Sequence, residues 1–278
     1  MLKPPQRLAV VHPLPSAINA VLVGVLALIA GGTPVTALTM AIAMLGFQFS
    51  IGAMNDIADI ERDRLGAKSK PIPAGSVSRR TALGIVAIGG LVGLAISASY
   101  GLAVLVIGAA GYACGLAYDL VLRSRGLGWV AFSAAFPLLL SWSWMAAAGV
   151  LPPGWPFLLP VAAIAGPAVH LANSLVDMEP DTRAGSTSLA TQLGPRRAPP
   201  VLTTLETTVY ALAWIWLMLS GESQALVLAV ALAATLAAGV GVALSWQASV
   251  GAREAGWLLQ AGALALMSAA WVAAIAAT

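Results

Sequence analysis

Charge is scarce in this chain: Asp, Glu, Lys and Arg make up 9% of 278 residues, where a soluble domain carries about 25%. With 59% hydrophobic residues and a mean hydropathy of +0.89, the composition excludes an ordinary soluble fold. Cysteine is nearly missing as well. Cys114 stands alone, so neither an intramolecular disulfide nor a cysteine-rich zinc site can form. The two histidines, His12 and His170, are far apart in the sequence. No polar linker or low-complexity stretch divides residues 1–278, which read as one domain. Excess basic charge is small too. Fourteen Lys and Arg against eleven Asp and Glu leave +3, spread over short loops, a pattern that argues against nucleic acid as a partner.

What is present is a succession of apolar runs of about 20 residues, the length that spans a bilayer as a helix. They lie near Leu14–Gly32, Pro34–Met54, Thr81–Ala98, Leu102–Tyr118, Gly128–Gly149, Phe157–Val176, Pro200–Leu219, Ser223–Trp246 and Ala255–Ala277. Strands of a membrane barrel would alternate over about ten residues instead, so the expected fold is all-α, a bundle of nine transmembrane helices. Basic residues test the map, because cytoplasmic loops collect Lys and Arg. All fourteen fall on one side of it: before helix 1, between helices 2 and 3, 4 and 5, and 6 and 7, and, for Arg253, between helices 8 and 9. This predicts a multi-pass protein of the cell inner membrane with a cytoplasmic N-terminus and cytoplasmic active-site loops. A signal-peptide reading of the N-terminus is set aside, since Leu14–Gly32 is long enough to span and the apolar texture continues after it.

Two acidic motifs interrupt the apolar pattern. In Asn55-Asp56-Ile57-Ala58-Asp59-Ile60-Glu61-Arg62-Asp63, the aspartates at 56, 59 and 63 have i, i+3, i+7 spacing and would share one helical face. Such like charges repel unless a cation lies between them. With hard oxygen ligands and no His or Cys nearby, Mg²⁺ is the natural choice. The second motif, Asp177-Met178-Glu179-Pro180-Asp181, aligns Asp177 and Asp181 with His170 and Asn173, on a helix that Pro180 should kink or end. A helix, an acidic motif and a basic loop thus recur about 120 residues apart, a weak internal repeat. Basic residues close by in sequence, among them Lys68, Lys70, Arg123 and Arg183, suit a diphosphate held by metal and cations. An apolar helical bundle suits a prenyl tail beside membrane lipid.

Here a resemblance becomes specific. Asn55 to Asp63 resembles the NDxxDxxxD motif of the UbiA family of membrane prenyltransferases, and Asp177 to Asp181 resembles its DxxxD motif. Lys70-Pro71-Ile72-Pro73-Ala74-Gly75 is similar to the family's RPIPSG-like loop, Tyr118-Asp119 with Arg123 to its YDxxLK element, and Gly185 to Gly194 to the segment after DxxxD. The resemblance implies a nine-helix bundle in which Asp56, Asp59, Asp63, Asp177 and Asp181 bind Mg²⁺ and diphosphate, with Asn55 beside them. It implies that Lys68, Lys70, Arg123 and Arg183 are diphosphate cations, and that Tyr118 and Asp119 position isoprenoid or acceptor near the developing allylic cation. Asn173 joins this set by continuing the Asp177 face. The sequence departs from the commonest family pattern at Lys70, Arg123 and Ser186–Leu189, which leaves the acceptor open.

The expected activity is Mg²⁺-dependent transfer of a prenyl group from an allylic polyprenyl diphosphate to a nucleophilic acceptor, most readily an aromatic ring of the 4-hydroxybenzoate kind. A membrane terpene cyclase would use the same ionisation with no acceptor, and a carrier of lipid or diphosphate would bind without cleavage. Glu206, inside the seventh run, and His170 have structural readings and are left outside the site.

Overall fold

The structure, a computed structural model, describes residues 6–60, 70–221 and 224–277; Asp63 and Lys68 lie outside these. Among these residues a 3₁₀ turn, Gln6–Val11, is followed by eleven α-helices: α1 Pro13–Ile29, α2 Pro34–Ala58, α3 Arg79–Ser99, α4 Leu102–Ala117, α5 Gly128–Ala148, α6 Trp155–Val176, α7 Met178–Ala184, α8 Leu189–Leu193, α9 Ala198–Leu219, α10 Ala225–Ser245 and α11 Val250–Ala277. Among the described residues there is no strand. Among the described residues, eight segments are long and apolar enough to cross a membrane: α2, α3, α4 with the turns that continue it to Arg125, α5, α6, α9, α10 and α11. The expected ninth span, α1, is a shorter apolar helix of 17 residues. Leu38, Leu91, Leu102 and Leu226 are exposed, the placement of apolar side chains that a lipid surround favours.

The chain divides into two compact units, Met1–Leu120 with Leu138–Gly149, and Val121–Pro137 with Val150–Thr278. In the first, α2 packs against α1 and α3 around Val23, Met40, Met44, Phe47, Val104 and Trp142. Helices α2 and α3 meet at glycines: a Cβ on Gly46 would stand 2.7 Å from the Gly89 carbonyl oxygen, so small residues here set the approach of two backbones. Trp142 donates from Nε1 to Ser97 Oγ at 3.1 Å, satisfying an indole that is otherwise deep in apolar packing.

In the second unit, α6 is covered by α9 and α11, and α10 pairs along α11. Pro167 lies inside α6 and lacks the N–H that would bond the Ala163 carbonyl one turn back. Ser133 Oγ on α5 donates to that oxygen at 2.8 Å. The hydroxyl answers the acceptor that proline orphans, and both α6 and α5 keep their course through it.

Candidate functional site

The first acidic motif begins inside α2, which runs four residues beyond the expected end at Met54 and so makes Asn55 and Asp56 helical. Asp59 is the C-cap, at φ −96° and ψ 3°, its N–H bonded to the Asn55 carbonyl. The shared face therefore holds for Asp56, 1% exposed, and Asp59, 6% exposed, while Asp63 is outside the described residues.

The Lys70–Gly75 segment folds on itself. Ala74 N–H bonds the Lys70 carbonyl, Gly75 N–H bonds Ile72, and the amides of Ser76 and Val77 bond Pro71. Gly75 takes φ 72°, which a side chain rarely adopts. Val77 and Ile72 then pack with Val10, Ala53, Ala82 and Ile57. This anchors the loop on the end of α2, and Lys70 Nζ donates to Asp56 Oδ1 at 3.1 Å. Asp56 Oδ2 is buried, and among the described residues no donor reaches it.

His12 also reaches Asp56, Nε2 to Oδ1 at 3.4 Å. Nothing in the sequence joined it to this motif, 44 residues away. It stands at φ 46° and ψ 63°, just before Pro13, and a Cβ at Gly52 would come within 3.0 Å of its ring. The missing side chain at 52 gives the imidazole its place. The only hint in the sequence was a histidine at the mouth of the first apolar run.

Asn55 and Asp119 meet directly: Asn55 Nδ2 donates to Asp119 Oδ1 at 2.7 Å. Asp119 is buried in a π-helical turn, Tyr118–Leu122, that follows α4. The widened turn replaces the expected α-helical continuation at Tyr118, as such turns often do at functional positions. Two residues singled out separately are thus one hydrogen-bonded pair in the first unit, with Tyr118 half-buried beside them.

In the second unit, α6 ends at Val176, and Asp177, at φ −103° and ψ 15°, serves as C-cap of α6 and N-cap of α7. Pro180 falls in the first turn of α7, where its missing N–H costs little. The chain bends at Asp177, so the face running from Asn173, half-buried on α6, to Asp181 is interrupted there. Asp181 N–H still bonds the Asp177 carbonyl at 2.9 Å. Arg183 folds back on its own helix, Nε donating to the Glu179 carbonyl at 3.3 Å.

Arg123 is held differently. It opens a 3₁₀ turn closed by Gly126 at φ 70°, and Gln192 Nε2 donates to the Gly126 carbonyl at 3.0 Å. Thr187 Oγ1 adds a bond to the Ser124 carbonyl at 3.2 Å. The segment after the second motif therefore ties down the turn that carries Arg123.

Arg253 corrects the loop assignment. It lies in the first turn of α11, which starts at Val250 rather than Ala255, and it is 4% exposed. Its guanidinium grips Glu179 with both ends, Nη1 to Oε1 at 2.7 Å and Nη2 to Oε2 at 2.5 Å. That bond, the largest influence, holds the Glu179 carboxyl below its usual range. The ion pair neutralises the charge and lets the helix begin earlier.

Among the described residues, no three His, Cys, Asp or Glu side chains group as a complete metal centre. The test of fit is Asp56: a buried carboxylate oxygen that no donor reaches among the described residues suits a hard cation taking oxygen ligands.

The model of the UbiA prenyltransferase family matches residues 17–259. No curated protein matches the sequence. Among solved structures, a UbiA homologue from Aeropyrum pernix K1 in its apo form is similar at TM-score 0.74 and 20% identity, over 92% of this chain and 96% of that one. A digeranylgeranylglyceryl phosphate synthase is similar at TM-score 0.71 and 15% identity, over 98% of each chain. A UbiA homologue from Archaeoglobus fulgidus bound to GPP and Mg²⁺ is similar at TM-score 0.69 and 18% identity, over 95% of this chain and 100% of that one. At these identities the structures speak for the fold, while the family match spans most of the chain: this integral membrane protein belongs to the UbiA prenyltransferase family and is a prenyltransferase.

Proposed function

We propose that the protein uses Mg²⁺ to ionise an allylic polyprenyl diphosphate and transfers the prenyl group to an acceptor, an aromatic compound of the 4-hydroxybenzoate kind, releasing diphosphate. The observation that carries this reading is Asp56, whose buried carboxylate has Lys70 on one oxygen and, among the described residues, no donor on the other. Asp56, Asp59 and Asp63, with Asp177 and Asp181, would hold the metal, directly or through water. A Mg²⁺ ion held there would offset the charge that grows on the leaving diphosphate.

The chain's own cations share that task. Lys70, bonded to Asp56 at 3.1 Å, exchanges this carboxylate for a diphosphate oxygen when substrate arrives, and Lys68, Arg123 and Arg183 are the other candidates. The carbon–oxygen bond breaks with its electron pair on the diphosphate, leaving an allylic cation. Asn55 fixes the rotamer of Asp119 through the 2.7 Å bond, and a carboxylate and phenol held at Asp119 and Tyr118 stabilise the cation and orient the acceptor. Attack by an aromatic carbon then releases one ring proton. Asn173 on α6 is a further candidate for a catalytic role.

The one-sided distribution of Lys and Arg supports an inner-membrane orientation with the N-terminus and both motifs facing the cytoplasm. The reading is tested by incubating the purified protein with Mg²⁺ and geranyl diphosphate, with and without 4-hydroxybenzoate. A prenylated benzoate lost on adding EDTA supports it. A hydrocarbon or simple alcohol made without acceptor indicates cyclisation instead.

A further inference from the structure

The second acidic motif packs three carboxylates into five residues, Asp177, Glu179 and Asp181. Only two are suited to share a ligand. Asp177 caps α7 and Asp181 lies one turn on, its N–H bonded to the Asp177 carbonyl, whereas Glu179, two residues before Asp181, points to roughly the opposite side of α7 from it. The helix that carries them, α7, has seven residues, too few to hold its shape without tertiary contacts. One such contact is apolar: Met178 joins Leu171, Leu175, Ala190, Ala198 and Leu202, with Trp257 of α11 packed against them. The other is ionic and starts one turn earlier on α11, where Arg253 forks onto both oxygens of Glu179.

A guanidinium that is 4% exposed is tolerated because a carboxylate meets it bidentately. The same contact removes Glu179 as a third anion and as a competing ligand beside Asp177 and Asp181. It also fixes the back of α7 against the long helix α11. We propose that Arg253, acting through Glu179, is a positioning residue that presents Asp177 and Asp181 to the metal-bound diphosphate, an inference that rests on the function proposed above.

The test uses the full-length protein in detergent, as wild type, Glu179→Gln, Arg253→Lys, Arg253→Met and the Glu179→Gln/Arg253→Met double variant. Two quantities are read: amide hydrogen exchange of residues 178–184 without metal or ligand, and Mg²⁺-dependent binding of geranyl thiolodiphosphate, which resists ionisation. In Glu179→Gln, exchange in α7 speeds up while α9 and α10 keep wild-type protection, and analogue binding weakens by about ten- to a hundredfold. Arg253→Lys falls between, because an ammonium keeps the charge and loses the fork. The double variant is no worse than the poorer single one, since both remove the same interaction.

In turnover, the Mg²⁺ requirement of Glu179→Gln rises, with kcat at saturating Mg²⁺ falling much less. Wild-type exchange and binding in Glu179→Gln overturn the proposal. So does a uniform loss of protection across all helices, which marks a merely structural pair. The glutamine variant keeps the test open should Arg253→Met fail to fold. Wild-type protein that binds no analogue at any Mg²⁺ concentration refutes the functional reading and the positioning role with it, while the exchange arm separately decides whether the clamp orders α7.

Discussion

Replacing Asn55 by Ala removes the donor that holds Asp119, at a bond of 2.7 Å to a carboxylate that is 6% exposed. A hydrogen bond to a charged group contributes about 1.5–3 kcal/mol. If that is felt wholly in the transition state, the loss in kcat/KM is roughly ten- to 150-fold. Asn55 sits three residues before the end of α2 at Ala58, and the backbone bond from Asp59 N–H to its carbonyl survives the change, so the fold should persist. Diphosphate release measures the rate, and circular dichroism of the detergent-solubilised variant checks its helices. Asn55→Asp should be at least as poor, because it sets a second carboxylate beside Asp119. The reasoning is refuted if Asn55→Ala keeps kcat/KM within about twofold of wild type while Asp119→Ala is severely impaired, for then the bond does not position the carboxylate.

Asp56→Ala and Asp177→Ala should each abolish turnover without unfolding the protein, read from diphosphate release and from helical signal; normal activity in either is incompatible with their assignment as metal ligands. Gly126→Ala puts a Cβ at φ 70° and drives it into Gln192. Left-handed strain and the lost Gln192 bond together should destabilise the protein by roughly 2 kcal/mol, visible as a lower midpoint of thermal unfolding, and an unchanged midpoint would contradict the turn geometry. Because Arg253 lowers the Glu179 pKa in the folded protein, the pair's stabilisation is complete above the ordinary value of about 4.3. It is lost as pH falls through the lower folded value. Thermal stability in that acid window should therefore drop more for wild type than for Glu179→Gln, and parallel curves would refute the linkage.

The helices were legible because apolar runs of bilayer length leave the chain no other way to satisfy its backbone. Their ends were less so. The end of α2 was placed at Met54 from the first charged residues, yet the helix carries Asn55 and Asp56 inward because partners on other segments, Asp119 and Lys70, receive them. Arg253 was misplaced for the same reason: a lone arginine reads as loop until Glu179, 74 residues earlier, is seen to pair with it. Nothing in the sequence ties His12 to the first motif, since its approach to Asp56 depends on Gly52 leaving room, a relation with no local signature. The acidic motifs themselves stood out by spacing alone, whereas their hydrogen bonds are long-range contacts that only the folded chain creates. Where proline altered the path, the sequence anticipated it: Pro180 predicted a break in the second motif, and the break falls at Asp177.

The measurement closest to the central claim is Mg²⁺-dependent release of diphosphate by the purified protein from prenyl diphosphates of several lengths, with lipid extracts followed by mass spectrometry with and without 4-hydroxybenzoate. The account predicts release that EDTA abolishes and Mg²⁺ restores, together with a prenylated benzoate, and both lost in Asp56→Ala. Release that continues in EDTA, or that is untouched by Asp56→Ala, would contradict it.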